Sequence, residues 1–402
     1  MTREEVYSRC LESLNRSNFL LLEAATGLGK TKCAIDLVNH LASNKYIGRR
    51  VSMLLLVAKT VHKQTWQFEF DKWGGIHVNE LTIECYESLK KHEGERFDIV
   101  VMDEAHHINS DKRLDLLSTL SFDYCIGLSA TIPMKLKQYF KYEYHAEIVS
   151  CNLTEAIDSN ILPDPQIILM PLELDNSILK EFIELYPNAK GRTYHATYAE
   201  FWKYKKLKVH AFISCTEKQR LIEYDNQIRW EKNMFTRTRQ EFMKNRWLQD
   251  CGERIKYLAN LKNDVVLKIL EKLKNERTIT FCKTIEQANT LGKYSIHSKN
   301  LNSQAIYDAF NSKRINHISS VNVLNEGANL VDCKYAIFAN YSSSEVCSVQ
   351  RVGRSLRHRS PVIIMPYYKG TREEEILTKM IEGFNRNNIH VVHSLDEFNK
   401  YI

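Results

Sequence analysis

The segment Glu23-Ala24-Ala25-Thr26-Gly27-Leu28-Gly29-Lys30-Thr31 follows directly on the apolar run Phe19-Leu20-Leu21-Leu22 and combines two glycines, a lysine and a hydroxyl. Glycines at these places let backbone N–H groups converge on a phosphate chain that side chains would otherwise block. The main chain of Thr26, Gly27, Leu28 and Gly29 would line such a cradle. Lys30 would set its ammonium against the β- and γ-phosphates, and the Thr31 hydroxyl would coordinate Mg2+. Ala24 stands where the GxxxxGK(S/T) pattern has its first glycine. Alone, the segment reads either as a nucleotide-binding loop or as a Gly-rich turn.

A second cluster is Val100-Val101-Met102-Asp103-Glu104-Ala105-His106-His107, with two carboxylates immediately after an apolar run. In parallel sheets functional groups gather outside the carboxyl ends of strands, so both acids are expected to face the phosphate loop. Asp103 can hold magnesium through water, and Glu104 can orient and deprotonate an attacking water. Taken alone, acids in this position read first as simple helix caps.

These residues need a scaffold, and the hydrophobic pattern supplies one. Phe19 to Leu22, Met53 to Val57, Asp98 to Met102 and Tyr124 to Leu128 are short, nearly continuous apolar runs, as suits parallel strands buried on both faces. Between the first two, Thr31 to Leu41 carries apolar residues at helical spacing. A second series runs from a helix near Val265 through Thr278 to Cys282, Ile318 to Val321, Tyr335 to Ala339 and Val362 to Met365. The expected fold is therefore α/β: two parallel-sheet domains in tandem, 1–165 and 166–402, divided near Leu162-Pro163-Asp164-Pro165. The second is interrupted by a mainly helical insertion over 175–262, where Thr216 and Gln219 form a capping box and Leu221, Ile228, Phe235 and Phe242 recur every seventh residue. One long helix of about 45 Å is expected there.

The chain has 402 residues and a formal charge of +7. That charge is concentrated: residues 190–246 hold fourteen Lys or Arg against six acids, which leaves the remainder at −1. A basic middle between neutral flanks fits either a polyanion contact or a solvated helix face. The run around Trp202, with Lys203, Lys205, Lys206 and Lys208, interleaves an aromatic face with cations as a nucleic-acid surface would. No apolar run approaches the roughly 20 residues of a membrane helix, and Met1 to Glu5 does not open a signal peptide, so neither membrane insertion nor secretion is expected. Ten cysteines, none closer than fourteen positions to another, offer no CxxC pair for zinc or dithiol chemistry and read as reduced thiols.

Read in order, ATGLGKT, DEAHH, Gly127-Leu128-Ser129-Ala130-Thr131, Asn325-Glu326-Gly327-Ala328-Asn329-Leu330 and Gln350-Arg351-Val352-Gly353-Arg354-Ser355-Leu356-Arg357 resemble the ordered motifs of superfamily 2 helicases of the DEAD/DEAH type. The resemblance spans nearly the whole chain. It implies two RecA-like domains with ATP in the cleft between them. It places Lys30, Thr31, Asp103 and Glu104 at the phosphate, metal and catalytic positions, and Gly327 among the nucleotide contacts. Gln350, Arg354 and Arg357 match groups reaching the γ-phosphate from the second domain, while Arg351 matches a position supporting the interface. His106, Ser129 and Thr131 match the couplers between hydrolysis and domain movement. Lys59 and Thr60 with Gln64, and Cys85 to Leu89, resemble weaker motifs that touch a nucleic-acid backbone.

The resemblance has departures. No glutamine lies in Glu4 to Arg16, where many relatives read adenine, so Tyr7 or Arg9 would have to stack on the base. Asn329 stands where a number of relatives have aspartate. The cofactors implied are ATP and Mg2+. The expected partner is nucleic acid, DNA in preference to RNA, contacted by a monomer in the cytoplasm of a bacterial or phage-infected cell. A double-stranded DNA translocase, an RNA helicase and an ATP-gated clamp are the alternatives.

Overall fold

The computed structural model describes residues 2–321, 330–341 and 358–402. The first sheet contains β1 (Phe19–Ala24), β2 (Ser52–Val57), β3 (Glu80–Cys85), β4 (Arg96–Asp103), β5 (Ser121–Ser129) and β6 (Glu147–Cys151). Its strands run in the order β3-β2-β4-β5-β1-β6, and every pairing is parallel. Burial on both faces explains the unbroken apolar runs: Leu20 and Leu22 point into one core cluster and Phe19 and Leu21 into the other. The helices are α1 (Arg3–Arg16), α2 (Lys30–Lys45), α3 (Thr60–Lys72), α4 (Asp111–Thr119), α5 (Met134–Tyr144) and α6 (Leu153–Asp158). Thr2 and Glu5 close a capping box at the start of α1, so the first helix has a defined beginning.

After the proline break, β7 (Gln166–Leu172) enters a second sheet. That sheet takes its other strands from the far end of the chain: β11 (Thr278–Phe281), β12 (Ser295–Ile296), β13 (His317–Ser320), β14 (Tyr335–Phe338), β15 (Val362–Tyr368) and β16 (Ile389–Val391). The order is β12-β13-β11-β14-β15-β7-β16, again all parallel. All seven residues of β7 pair with β15, so the strand that opens this sheet lies beside a partner nearly two hundred positions later. The parallel α/β fold expected for both domains is the fold observed.

The intervening stretch departs from the expectation in two ways. A three-stranded sheet of order β8-β10-β9 precedes the long helices, built from β8 (Glu181–Leu185), β9 (Tyr194–Thr197) and β10 (Ala211–Cys215). α7 (Phe201–Leu207) packs on it through Phe201. In addition, the single long helix is two: α8 (Glu217–Thr238) and α9 (Glu241–Leu261), packed against each other as a hairpin. The break falls at Arg239, whose φ of 55° lies in the left-handed region and ends the helix. The seventh-residue stripe ran on through Phe242 because the turn is made by an arginine rather than glycine, which leaves no mark in the sequence.

The hairpin is rooted on the second sheet. Leu221 and Leu258 pack against Tyr368, and Lys262, where α9 meets α10 (Asn263–Lys272), is fully buried and ion-paired to Glu373. The Lys262 ammonium also lies over the Tyr341 ring, while the second Glu373 oxygen accepts from the Tyr368 N–H. Among the described residues no helix is long and apolar enough to cross a membrane.

Candidate active site

The phosphate loop leaves the carboxyl end of β1 and turns into the amino end of α2. Gly27 and Gly29 have φ of 100° and 101°, a region costly for any residue with a Cβ, so the two glycines are there to permit the turn. The loop is pinned from both sides. Leu28 N–H donates to the Ala25 carbonyl at 3.2 Å, and Arg3 Nε, from α1, donates to the Leu28 carbonyl at 3.1 Å. Lys30 Nζ donates to the Ala24 carbonyl at 2.8 Å, which holds the ammonium inside the loop's curve. Thr26 Oγ1 is buried with no hydrogen-bond partner among the described residues. A buried polar atom without a partner costs free energy, and an anionic ligand's oxygen or its shell would satisfy it.

The acid pair ends β4, two strands from β1 in the sheet order, with β5 between them. Asp103 is paired in register with Leu128, and Glu23 with Ser129, so the three strand ends are level. Trp66 Nε1 of α3 donates to Asp103 Oδ2 at 2.8 Å, which fixes the carboxylate's rotation. The Tyr86 hydroxyl donates to the Asp103 carbonyl at 2.9 Å, and burial pushes that phenol well above its ordinary range, so it stays a donor. Glu104 is buried and has φ 50°, ψ 57°, a left-handed conformation uncommon for a non-glycine residue. Backbone strain of this kind persists where surroundings impose it. Beneath it, Gly127 makes room: a Cβ there would lie 2.6 Å from Leu21 Cδ2 and 3.3 Å from Ala105 Cβ.

From the acid pair a polar chain crosses to β5. His106 Nδ1 lies 2.9 Å from Ser129 Oγ and 3.5 Å from Glu104 Oε2. Ser129 spends its one proton on the Thr131 carbonyl at 2.8 Å, so His106 Nδ1 carries the hydrogen and donates. Two further groups, invisible in the linear pattern, complete the frame. Glu23 accepts from the Ile132 N–H at 2.8 Å and from Lys137 Nζ at 2.6 Å, tying the start of the phosphate loop to the segment after Thr131. Arg113 donates to the His107 carbonyl at 2.6 Å and pairs with Glu87 at 3.0 Å, which locks the turn after the acids.

The structure thus gathers Thr26, Gly27, Leu28, Gly29, Lys30, Thr31, Asp103, Glu104, His106, Ser129 and Thr131 along one edge of one sheet. Gly327, Asn329, Gln350, Arg351, Arg354 and Arg357 lie outside the described residues. Lys59, Thr60 and Gln64 are exposed at the amino end of α3, with Thr60 Oγ1 3.8 Å from Cys85 Sγ. Trp202 is 64% exposed on α7, flanked by Lys205, whose ammonium stands 4.8 Å from its ring centre. Lys203 pairs with Glu200 at 3.2 Å, whereas Lys206 and Lys208 are exposed.

Residues 261–359 match the family described as helicase conserved C-terminal domain. Residues 2–93 and 75–134 match the type III restriction enzyme res subunit. A search of curated protein sequences finds no match. Among solved structures, the chain is similar to Saccharomyces cerevisiae Dbp5 bound to RNA and ADP–BeF3, at 13% identity and a TM-score of 0.59, over 98% of this chain and 91% of that one. It is also similar to the Pyrococcus furiosus Hef helicase domain, at 15% identity and a TM-score of 0.50, over 94% and 97% of the two chains. At these identities the likeness is one of fold.

Proposed function

Since the chain belongs to the superfamily 2 helicases and is an ATP-dependent nucleic-acid helicase, we propose that it hydrolyses ATP with the residues gathered at the edge of its first sheet and uses the cycle to move along DNA and separate its strands. The observation carrying this reading is the level alignment of three strand ends, which sets the Lys30 loop, the Asp103–Glu104 pair and the Ser129 loop side by side. In that arrangement the loop's N–H groups and the Lys30 ammonium hold the triphosphate and neutralise charge that grows during transfer. Glu104 orients the attacking water and takes its proton.

Thr31 and Asp103 are the residues that would hold magnesium, because a hydroxyl and a carboxylate are the hard oxygen donors that ion selects. When bound, it supplies charge neutralisation at the phosphates. Trp66 presents Asp103 for that task by clamping one of its oxygens. His106, in the turn directly after Glu104, and Ser129, on the neighbouring strand, sense Glu104 and pass its state to the segment that begins at Thr131. From the second domain, Gln350, Arg354 and Arg357 would approach the γ-phosphate, as their match to the family's sixth motif implies. Two domains that close on nucleotide and reopen after hydrolysis would alternate their grip on a backbone.

DNA is favoured by the match of the first domain to a restriction-enzyme subunit. The RNA in the Dbp5 structure is the observation behind the second reading, an RNA helicase. ATPase rates measured in parallel with single-stranded DNA, duplex DNA, forked DNA and RNA decide between them. The proposal expects the largest stimulation by forked DNA, accompanied by strand displacement. Stimulation by RNA alone would establish the second reading, and triplex displacement without strand separation would make the protein a duplex translocase.

A further inference from the structure

Asp103 is fixed at both ends of its residue. Trp66 Nε1 donates to its Oδ2 at 2.8 Å and the Tyr86 hydroxyl donates to its carbonyl at 2.9 Å, so side chain and main chain are each held by a separate donor. Neither donor can swing, because both rings are buried. Trp66 belongs to the same core cluster as Leu55, Val57 and Val101, and its ring centre lies 5.6 Å from that of Phe70, one turn along α3. The helix itself is tied to β3 by Lys63 and Glu84 at 2.9 Å. The indole N–H therefore meets the carboxylate from one unchanging direction, and a bond of this length to an ionised acceptor is among the stronger ones.

Resting on the proposed function, in which Thr31 and Asp103 hold the metal, we infer that Trp66 is a specificity-determining residue for that ion: by holding Oδ2 it denies Asp103 two-oxygen coordination and so favours Mg2+ over Ca2+. Ca2+ gathers about six to eight oxygens in a flexible shell and takes carboxylates readily by both oxygens. Mg2+ demands a near-ideal octahedron at about 2.0–2.1 Å, gives up its waters reluctantly and engages a carboxylate through one oxygen or through a water. Bringing both oxygens of Asp103 onto one ion requires the carboxylate to turn, and turning it breaks the bond to Trp66. The carboxylate thus presents at most one oxygen, from a fixed direction, beside the single hydroxyl of Thr31. Tryptophan suits this task because its indole nitrogen only donates. It restrains the oxygen without adding a ligand of its own.

The test is equilibrium titration of the full chain with a fluorescent, non-hydrolysable ATP analogue, once in saturating Mg2+ and once in saturating Ca2+. The ratio of the two dissociation constants reports the choice of ion without any turnover, and wild type is expected to bind the Mg2+ complex more tightly. Trp66→Phe keeps a ring beside Phe70 and removes the donor. In that variant the preference for Mg2+ should shrink about tenfold, the equivalent of one hydrogen bond to a charged acceptor, through a gain with Ca2+ while the Mg2+ value stays within about threefold. The benzothienyl isostere of Trp66, which has the shape of indole but no N–H, should give the same shift with unchanged thermal unfolding. Phe70→Leu, which loosens the packing and leaves the donor, should keep the wild-type ratio. An unchanged ratio in the isostere, an equal loss with both ions, or the same shift in Phe70→Leu would overturn the inference and leave Trp66 a packing residue. Failure of the motor reading would look different: a wild-type chain that binds the analogue with neither ion.

Discussion

His106 and Ser129 are joined at 2.9 Å between Nδ1 and the hydroxyl, and the direction of that bond is fixed because the hydroxyl's own proton goes to the Thr131 carbonyl. Since Glu104 Oε2 is 3.5 Å from the same Nδ1, any movement of the carboxylate changes the balance of one donor between two acceptors on different strands. A hydrogen bond of this kind is worth about 1 kcal/mol, enough to bias a loop but not to drive hydrolysis.

Replacing His106 by alanine should therefore separate the two activities. ATP hydrolysis is expected to fall by less than about tenfold, in keeping with the loss of one or two hydrogen bonds, while strand displacement drops to background. Parallel measurement of both rates on forked DNA checks this. Proportional losses would show that His106 serves catalysis itself and not its transmission.

Gly127→Ala places a methyl 2.6 Å from Leu21 Cδ2 and against Ala105, directly below the acid pair. Overpacking of this sort costs about 1–3 kcal/mol, and relief by displacing Ala105 would carry Glu104 with it. Denaturant unfolding should show the stability loss, and ATPase rate should fall out of proportion to the folded fraction. An unchanged midpoint and rate would mean that the strand ends are looser than these contacts imply.

His317 gives the second domain a pH dependence. It sits next to β11 in the sheet with Nε2 3.0 Å from Thr280 Oγ1, and burial lowers its pKa to about 4. Below the ordinary histidine value of about 6.5 the unfolded chain binds a proton that the folded chain refuses. The stabilisation from keeping this ring neutral is thus complete above about pH 6.5 and is lost progressively as pH falls toward about 4, by up to about 3 kcal/mol. Unfolding free energies of wild type and His317→Asn should converge over that interval as pH is lowered. A constant difference between them would contradict the assignment.

Eight strands of the two parallel sheets, β1, β2, β4, β5, β11, β13, β14 and β15, and the phosphate loop are legible in the sequence, because burial on both faces writes Phe19 to Leu22 or Val100 to Met102 as unbroken apolar runs and because Gly27 and Gly29 have no substitute in a positive-φ turn. What holds those residues in place was not legible. Trp66 reaches Asp103 across 37 positions, Arg3 reaches Leu28 across 25, and Glu23 reaches Ile132 across 109. Nothing in a local window marks such pairs; only the parallel sheet, which brings distant strand ends level, makes them neighbours. The remaining strands are not legible: β8, β9, β10, β12 and β16 are two to five residues long, β3 and β6 are edge strands with mostly partly buried residues, and β7 follows Pro165, which reads as a break, and includes Pro171. The hairpin turn escaped because Arg239 adopts a conformation that its side chain does not announce.

The central claim, that Glu104 activates the water which attacks ATP bound over the Lys30 loop, is tested most directly by Glu104→Gln. The substitution keeps shape and burial but removes the base. ATP binding, measured by fluorescent-nucleotide titration, is expected to stay within about threefold of wild type, while hydrolysis stimulated by nucleic acid falls by about a hundredfold or more. Hydrolysis at the wild-type rate in that variant would contradict the account.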